Sequence, residues 1–194
     1  MAIALRQLWQ RLSERAPAGY RPGLTLEKLQ RNLGLDSFEV LGPGLGRFNW
    51  AGQAVQVRER CEAQLLMHLV LSEFSLSLPA TGQGSAHLEL HHSGSLRRSG
   101  LRVQLRQGEP ALQAELQRRL LADSALLQAL MPLDFKRLRL HRSDGQWTLT
   151  LEHIGASEVV NRLPAFRRYI RLSPEQRQHL LATLQGVPAL LAGL

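Results

Sequence analysis

The dipeptide Asp144-Gly145 constrains the fold of this 194-residue chain more than any other short segment. Both central residues of a type I′ turn need positive φ, which Asp and Gly adopt readily, so the dipeptide predicts a two-residue β-hairpin. In that hairpin the numbers of facing residues sum to 289, which places Leu140 opposite Leu149. Arg139 then points away from these leucines. The hairpin therefore has one apolar face and one polar face.

Period-two alternation predicts further strands. Segments 86–92 and 100–106 alternate apolar with polar residues, as expected of strands that bury one face. Residues 59–70 leave two interpretations open. The alternation favours a long, bent strand with a bulge or turn near Ser72, but apolar residues at helical spacing are also consistent with a helix.

Helical patterns occur near both ends of the chain and in its middle. The predicted helices are residues 3–15, Thr25 to Gly34, residues 110–130 with a break at Asp123-Ser124 left open, and a last helix that begins at the capping box Ser173-Pro174-Glu175-Gln176 and ends before Gly186. A chain of this length suffices for one hydrophobic core. We expect a single α+β domain over residues 1–194, a mainly antiparallel β-sheet with helices packed on one face and helices near the N- and C-terminal ends.

Positive charge is concentrated in three stretches that contain no acidic residue, 96–106, 135–142 and 161–172. They hold 12 of the 24 Lys+Arg residues, while the other 12 accompany all 16 Asp+Glu residues. The net charge of +8 is therefore localised. Localised positive charge attracts phosphates, anionic lipids or an acidic partner.

The alternation in the predicted strands places arginines opposite the apolar residues, so we expect an arginine-rich sheet face. The expected function is non-enzymatic binding of an anionic partner, nucleic-acid backbone in particular. The predicted binding residues are Arg98, Arg102, Arg106, Arg137, Arg139, Arg167, Arg168 and Arg171. Aromatic residues make up only 5% of the chain, and the deduced polar faces show none, so base stacking is not predicted. The alternative is a solvated face whose arginines resist edge pairing.

Two other classes of function stay open. The helix at 3–15 together with the basic face predicts peripheral association with an anionic membrane. His87, Glu89 and His91 share one strand face, and this spacing suits a metal centre in an enzyme or binding protein for a phosphorylated or acidic small molecule. The spacing matches no known zinc motif. The sequence therefore predicts no cofactor and does not favour an enzyme.

The cellular compartment is predicted from what the sequence lacks. Cys61 is the single cysteine, so no internal disulfide can form. No apolar stretch approaches the ~20 residues of a membrane-spanning helix, and the segment after Met1 lacks the apolar run of a secretory signal. We expect a cytoplasmic protein.

One segment resembles a known family. The residues concerned are Ala156-Ser157-Glu158-Val159-Val160-Asn161-Arg162 and Tyr169-Ile170-Arg171-Leu172, with the approach Asp134-Phe135-Lys136. This sequence is similar to an uncharacterised proteobacterial family of unknown function. The resemblance implies a bacterial, cytosolic origin and no particular activity.

Overall fold

The Asp144-Gly145 hairpin forms in the predicted register in the computed structural model, which describes residues 20–35, 37–64, 67–94, 98–162 and 164–194. Asp144 and Gly145 have φ values of 51° and 71°, and Leu140 faces Leu149. The predicted helix at 3–15 lies outside the described residues.

The hairpin belongs to an antiparallel sheet that has nine strands in the described part of the chain. The strands are β1 (Glu39–Gly42), β2 (Leu45–Trp50), β3 (Gln53–Ala63), β4 (Met67–Pro79), β5 (Ala86–Ser93), β6 (Gly100–Gln107), β7 (Phe135–Ser143), β8 (Gln146–Arg162) and β9 (Ala165–Ile170). Their order is β1-β2-β3-β4-β8-β7-β5-β6, and β9 pairs with the second half of β8.

Residues 59–63 and 67–70 are strand, so the helical alternative is wrong, but they belong to two strands and not to one long bent strand. They form the end of β3 and the start of β4, and the two strands pair antiparallel. The bulge or turn predicted near Ser72 does not occur in β4, which pairs with β3 in a continuous register there. The irregularity lies on β8, where residues 154–157 face the single residue between Val70 and Ser72.

Four helices occur among the described residues. They are α1 (Leu24–Leu33), α2 (Pro110–Ala122), α3 (Ser124–Leu130) and α4 (Pro174–Leu191). They pack on one face of the sheet, where the alternating apolar residues of the strands form the core. Trp147, Phe74 and Leu149 have no exposed surface there, and burial of each such side chain stabilises the fold by about 1.5–3 kcal/mol. These elements confirm the predicted α+β fold, in which one sheet face is covered by helices.

The start of α1 differs from the prediction. Thr25, with which the predicted helix begins as its N-cap residue, lies inside the helix; Gly23 is the N-cap residue and makes no side-chain cap. The carboxylate of Glu59 on β3 takes that role, because it accepts hydrogen bonds from the backbone N–H groups of Gly23 and Leu26, each at 2.9 Å. A tertiary contact therefore replaces the local cap.

The end of α4 also differs. The helix continues through Gly186 to Leu191, although Pro188 lies inside it. A Cβ at position 186 would lie 3.1 Å from Leu126 Cδ1. This glycine therefore permits close packing of α4 against α3 and does not end the helix.

The outer edge of β6 is closed by two glutamines of α2. Gln117 accepts a hydrogen bond from the Val103 backbone N–H at 2.7 Å and donates to the carbonyl of Leu101 at 3.2 Å. Gln113 donates to the carbonyl of Val103 at 2.8 Å. These amides satisfy the backbone groups through which an edge strand would pair with another chain.

Candidate anion-binding surface

One face of the sheet carries no helix among the described residues, and we call it the open face. Its cations on β3 to β9 are Arg58, Arg60, Arg102, Arg106, Lys136, Arg137, Arg139 and Arg168. Its carboxylates are Glu62, Glu73, Glu89 and Glu152. Eight cations against four carboxylates leave a formal excess of four positive charges on the described part of this face.

Five of the eight predicted arginines lie on the open face: Arg102, Arg106, Arg137, Arg139 and Arg168. Period-two alternation explains their placement, because their strand neighbours Leu101, Val103, Leu138 and Leu140 are buried on the other side of the sheet. The structure thus brings together arginines from three separate strands.

Glu89 on β5 lies at the centre of one cluster on this face. Arg106 Nη2 is 2.8 Å from Glu89 Oε2, and Arg139 Nε is 3.6 Å from Glu89 Oε1. Burial acts to raise the pKa of Glu89, but the hydrogen bond and charge of Arg106, with the adjacent histidines, hold it below its usual range. The ionised Glu89 carboxylate therefore links Arg106 on β6 to Arg139 on β7.

The predicted metal group surrounds the same carboxylate. His91 Nε2 is 3.3 Å from Glu89 Oε2, and His87 Nε2 is 3.7 Å from Glu89 Oε1. Burial lowers the pKa of His87, with Arg139 acting in the same direction. Among the described residues no group of three or more His, Cys, Asp or Glu side chains has the arrangement of a metal site. Arg106 and Arg139 already contact the Glu89 carboxylate, which a metal ion at this position would need as a ligand.

Glu152 on β8 forms a second bridge and has no exposed side-chain surface. Its Oε2 accepts a hydrogen bond from Arg60 Nη2 at 2.8 Å, and its Oε1 from Arg137 Nη1 at 3.5 Å. Lys136, in a bulge of β7, donates to Glu62. These contacts fix the positions of the cations, and the partly exposed guanidinium of Arg137 keeps further N–H donors for a ligand, since each guanidinium has five.

Arg102 and Arg168 differ from the bridged arginines. Both are exposed, and neither side chain forms a hydrogen bond or ion pair within the described structure. They lie on β6 and β9. β4 fills one edge of β8 along its whole length, so β9 pairs with the same edge as β7 and lies beyond the end of β7. Two strand steps, about 10 Å, separate β6 from the line of β7 and β9, and the four-residue offset along the strands adds about 13 Å in that direction.

Three predicted arginines lie elsewhere, and for these the prediction of a shared face is wrong. Arg98 precedes β6, so strand alternation does not govern it, and it donates to the Met131 carbonyl at 3.1 Å and to Asp134. Arg167 faces the helix layer, because consecutive strand residues point to opposite faces, and it lies 3.5 Å from Glu158.

Arg171 is the third, and it follows the end of β9. It lines a cleft of about 350 Å³ together with Arg31 and Arg177. Arg97 and the side chain of Arg162, which completed two of the basic stretches, lie outside the described residues.

Four further arginines at these sites were not predicted from the sequence: Arg58, Arg60, Arg31 and Arg177. Arg58 and Arg60 alternate with the buried Val57 on β3, so the same period-two signal that identified Arg102 would have found them. Arg31 and Arg177 are 146 residues apart in sequence, and only the tertiary fold brings them to one cleft.

Comparison with known proteins yields a single family. No curated protein and no solved structure matched the chain. None of the described helices is both long and apolar enough to span a bilayer. One family model matches residues 31–191, which include all nine strands of the described sheet. The chain belongs to the family described as protein of unknown function, DUF3156.

Proposed function

We propose that this protein binds the sugar-phosphate backbone of nucleic acid through the open face. The observation that carries the proposal is the excess of four cations on a sheet face that no described helix covers. A patch with such an excess attracts the closely spaced negative phosphates of a nucleic-acid backbone and displaces their counterions.

The spacing of the free arginines favours a polymer over a small ligand. Arg102 and Arg168 are about 10 Å apart across the sheet and a further 13 Å or so apart along the strands, which exceeds the reach of a single phosphate group. A duplex presents phosphates at intervals along its length, so a single molecule can contact both ends of the open face.

Backbone contact fits the face better than base recognition. Phe166, which is 48% exposed, is the one aromatic side chain on the open face within the described residues. Proteins that read single strands through a sheet stack successive bases on several aromatic side chains. The described face offers guanidinium donors instead, and these suit phosphate oxygens.

We place this binding in a reducing cytoplasm and do not assign an enzymatic step. Cys61 is a free thiol, and burial, with the charge of Glu59, raises its pKa to about 11. A thiol with such a pKa stays protonated at neutral pH and is a poor nucleophile.

A salt titration tests the proposal. We would measure binding of a fluorescently labelled DNA duplex by anisotropy between about 50 and 200 mM salt. If each excess cation neutralises one phosphate, the logarithm of affinity falls against the logarithm of salt concentration with a slope of about −3.6. A flat salt response, or no binding at the lowest salt, overturns the proposal. Sedimentation with anionic vesicles, without duplex binding, would instead support membrane association.

A further inference from the structure

We infer that the cleft between α1 and α4 is a separate binding site for a phosphate monoester, held by Arg31, Arg171 and Arg177. This inference does not depend on the open face. The three guanidinium-bearing residues come from different segments: the last turn of α1, the residue after β9 and the first turn of α4. The cleft has a volume of about 350 Å³, and no carboxylate residue is among those that line it.

Two of these arginines have no counter-charge in the described structure. The side chains of Arg171 and Arg177 make no hydrogen bond or ion pair there. Arg31 lies 3.6 Å from the carboxylate of Glu27, but both side chains are largely exposed, so the pair is weak. Three like charges around one cleft repel each other, and a bound anion removes that repulsion.

The base of the cleft is fixed before any ligand binds. Asn32 donates to the Leu172 carbonyl at 3.2 Å and accepts from the Leu172 backbone N–H at 2.8 Å. The Tyr169 hydroxyl donates to the same amide oxygen at 3.4 Å. The segment that carries Arg171 is therefore held against α1, and binding needs little rearrangement of the backbone.

The start of α4 does not supply the binding groups. Ser173 Oγ accepts from the Gln176 N–H, and the Gln176 side chain accepts from the Ser173 N–H. Pro174, the first residue of the helix, has no N–H to offer. Recognition thus rests on the guanidinium groups, which bind phosphate oxygens in a bidentate manner.

The concentration of positive charge around one cleft selects the kind of phosphate. A monoester carries a charge of about −1.5 to −2 at neutral pH. A diester carries one negative charge, and its second substituent takes up one phosphate oxygen. Three arginines around a small cleft therefore match the terminal phosphate of a molecule better than a phosphodiester within a chain.

Titration calorimetry with methyl phosphate and dimethyl phosphate tests this selection. We expect methyl phosphate to bind at least about tenfold more tightly than dimethyl phosphate, since charge-assisted hydrogen bonds are lost with the second charge. Affinity for methyl phosphate should fall as the pH drops below about 6, where the dianion becomes protonated. Equal affinities for the two esters, or no saturable binding, overturn the inference.

Single variants locate the site. Arg171→Ser and Arg177→Ser are each expected to weaken methyl phosphate binding by about tenfold, while the fold is retained because neither side chain has a partner in the described structure. Arg118→Ser, at an exposed position of α2, is the matched control and should bind like the wild type. Unchanged binding in both cleft variants would contradict the assignment. Arg177→Ser should keep its affinity for duplex DNA, so failure of this site is distinguishable from failure of the open face.

The source of the phosphate is decided by one further comparison. A short oligonucleotide with a 5′-phosphate and the same oligonucleotide with a 5′-hydroxyl are titrated into wild type and Arg177→Ser. Preference for the 5′-phosphate that disappears in the variant identifies a nucleic-acid end as the ligand. Equal binding of the two oligonucleotides, with methyl phosphate still bound, identifies a small phosphorylated molecule.

Discussion

The carboxylate of Glu152, which has no exposed side-chain surface, accepts a hydrogen bond from Arg60 at 2.8 Å across the open face. Arg137 approaches its other oxygen at 3.5 Å. Glu152 is therefore the buried anion between two cations, and it holds the arginines of β3 and β7 in place.

Glu152→Gln should lower the free energy of unfolding by about 2 kcal/mol, because it leaves two neighbouring positive charges without their anion. The loss is smaller than for a fully buried pair, since both arginines are partly exposed and water replaces some of the interaction. Urea denaturation measures it. Glu39→Gln, at an exposed ion pair with Arg47 on β1, is the matched control and should leave the midpoint nearly unchanged. A Glu152 variant as stable as the wild type would show that this carboxylate does not organise the face.

Glu89→Gln should strengthen duplex binding. The substitution releases Arg106 and Arg139 from their shared carboxylate and raises the excess on the open face from four to five charges. The salt slope should steepen by about 0.9, the contribution of one more neutralised phosphate. Anisotropy measures this change. Unchanged or weaker binding would mean that these two arginines do not reach the nucleic acid.

The joint substitution Gln113→Ala and Gln117→Ala should cause self-association through β6. It removes the partner of the Val103 N–H and exposes the strand edge. The free energy of unfolding should fall by about 1–3 kcal/mol for the unsatisfied backbone groups. Light scattering at increasing protein concentration detects the association. Gln178→Ala, exposed on α4, is the control, and equal behaviour of the two variants would contradict the edge role.

Acid should destabilise the protein partly through His153. Burial lowers the pKa of this histidine, outweighing the hydrogen bond with the Gly155 carbonyl at 3.1 Å. An unfolded histidine has a pKa of about 6.5 and takes up a proton first as the pH falls, so stability is lost between that value and the lower folded pKa. His153→Gln should show a shallower fall in unfolding free energy from about pH 7 to 5. A fall as steep as that of the wild type would exclude His153 as a source of acid sensitivity.

Sequence patterns predicted the features that depend on neighbours along one strand. Asp144-Gly145 set the register of β7 and β8, and alternation placed Arg102 and Arg139 on one face. Contacts between segments that are distant in sequence could not be predicted from these patterns. Gly186 has the residue type of a helix end, yet its small size serves packing against Leu126.

Arginines predicted for the open face were found elsewhere for two different reasons. Arg98 belongs to a basic stretch in sequence, but the carbonyls of the α3–β7 connection hold it away from the sheet. Arg167 and Arg168 are adjacent, so strand geometry assigns them to opposite faces. The three acid-free stretches therefore supply five arginines to the open face and do not form one continuous patch. The cleft of Arg31, Arg171 and Arg177 had no local signal, because its residues come from three separate segments.

The salt slope of the double variant Arg102→Ser with Arg168→Ser tests most directly whether the open face binds nucleic-acid backbone. Neither side chain has a partner in the described structure, so the substitutions break no internal contact there. The account predicts weaker duplex binding and a slope reduced in magnitude by about 1.8, the contribution of two phosphates. The matched double variant Arg21→Ser with Arg118→Ser, exposed and away from the open face, should keep the wild-type slope. An unchanged slope in the first variant, or an equal loss in the second, would contradict the account.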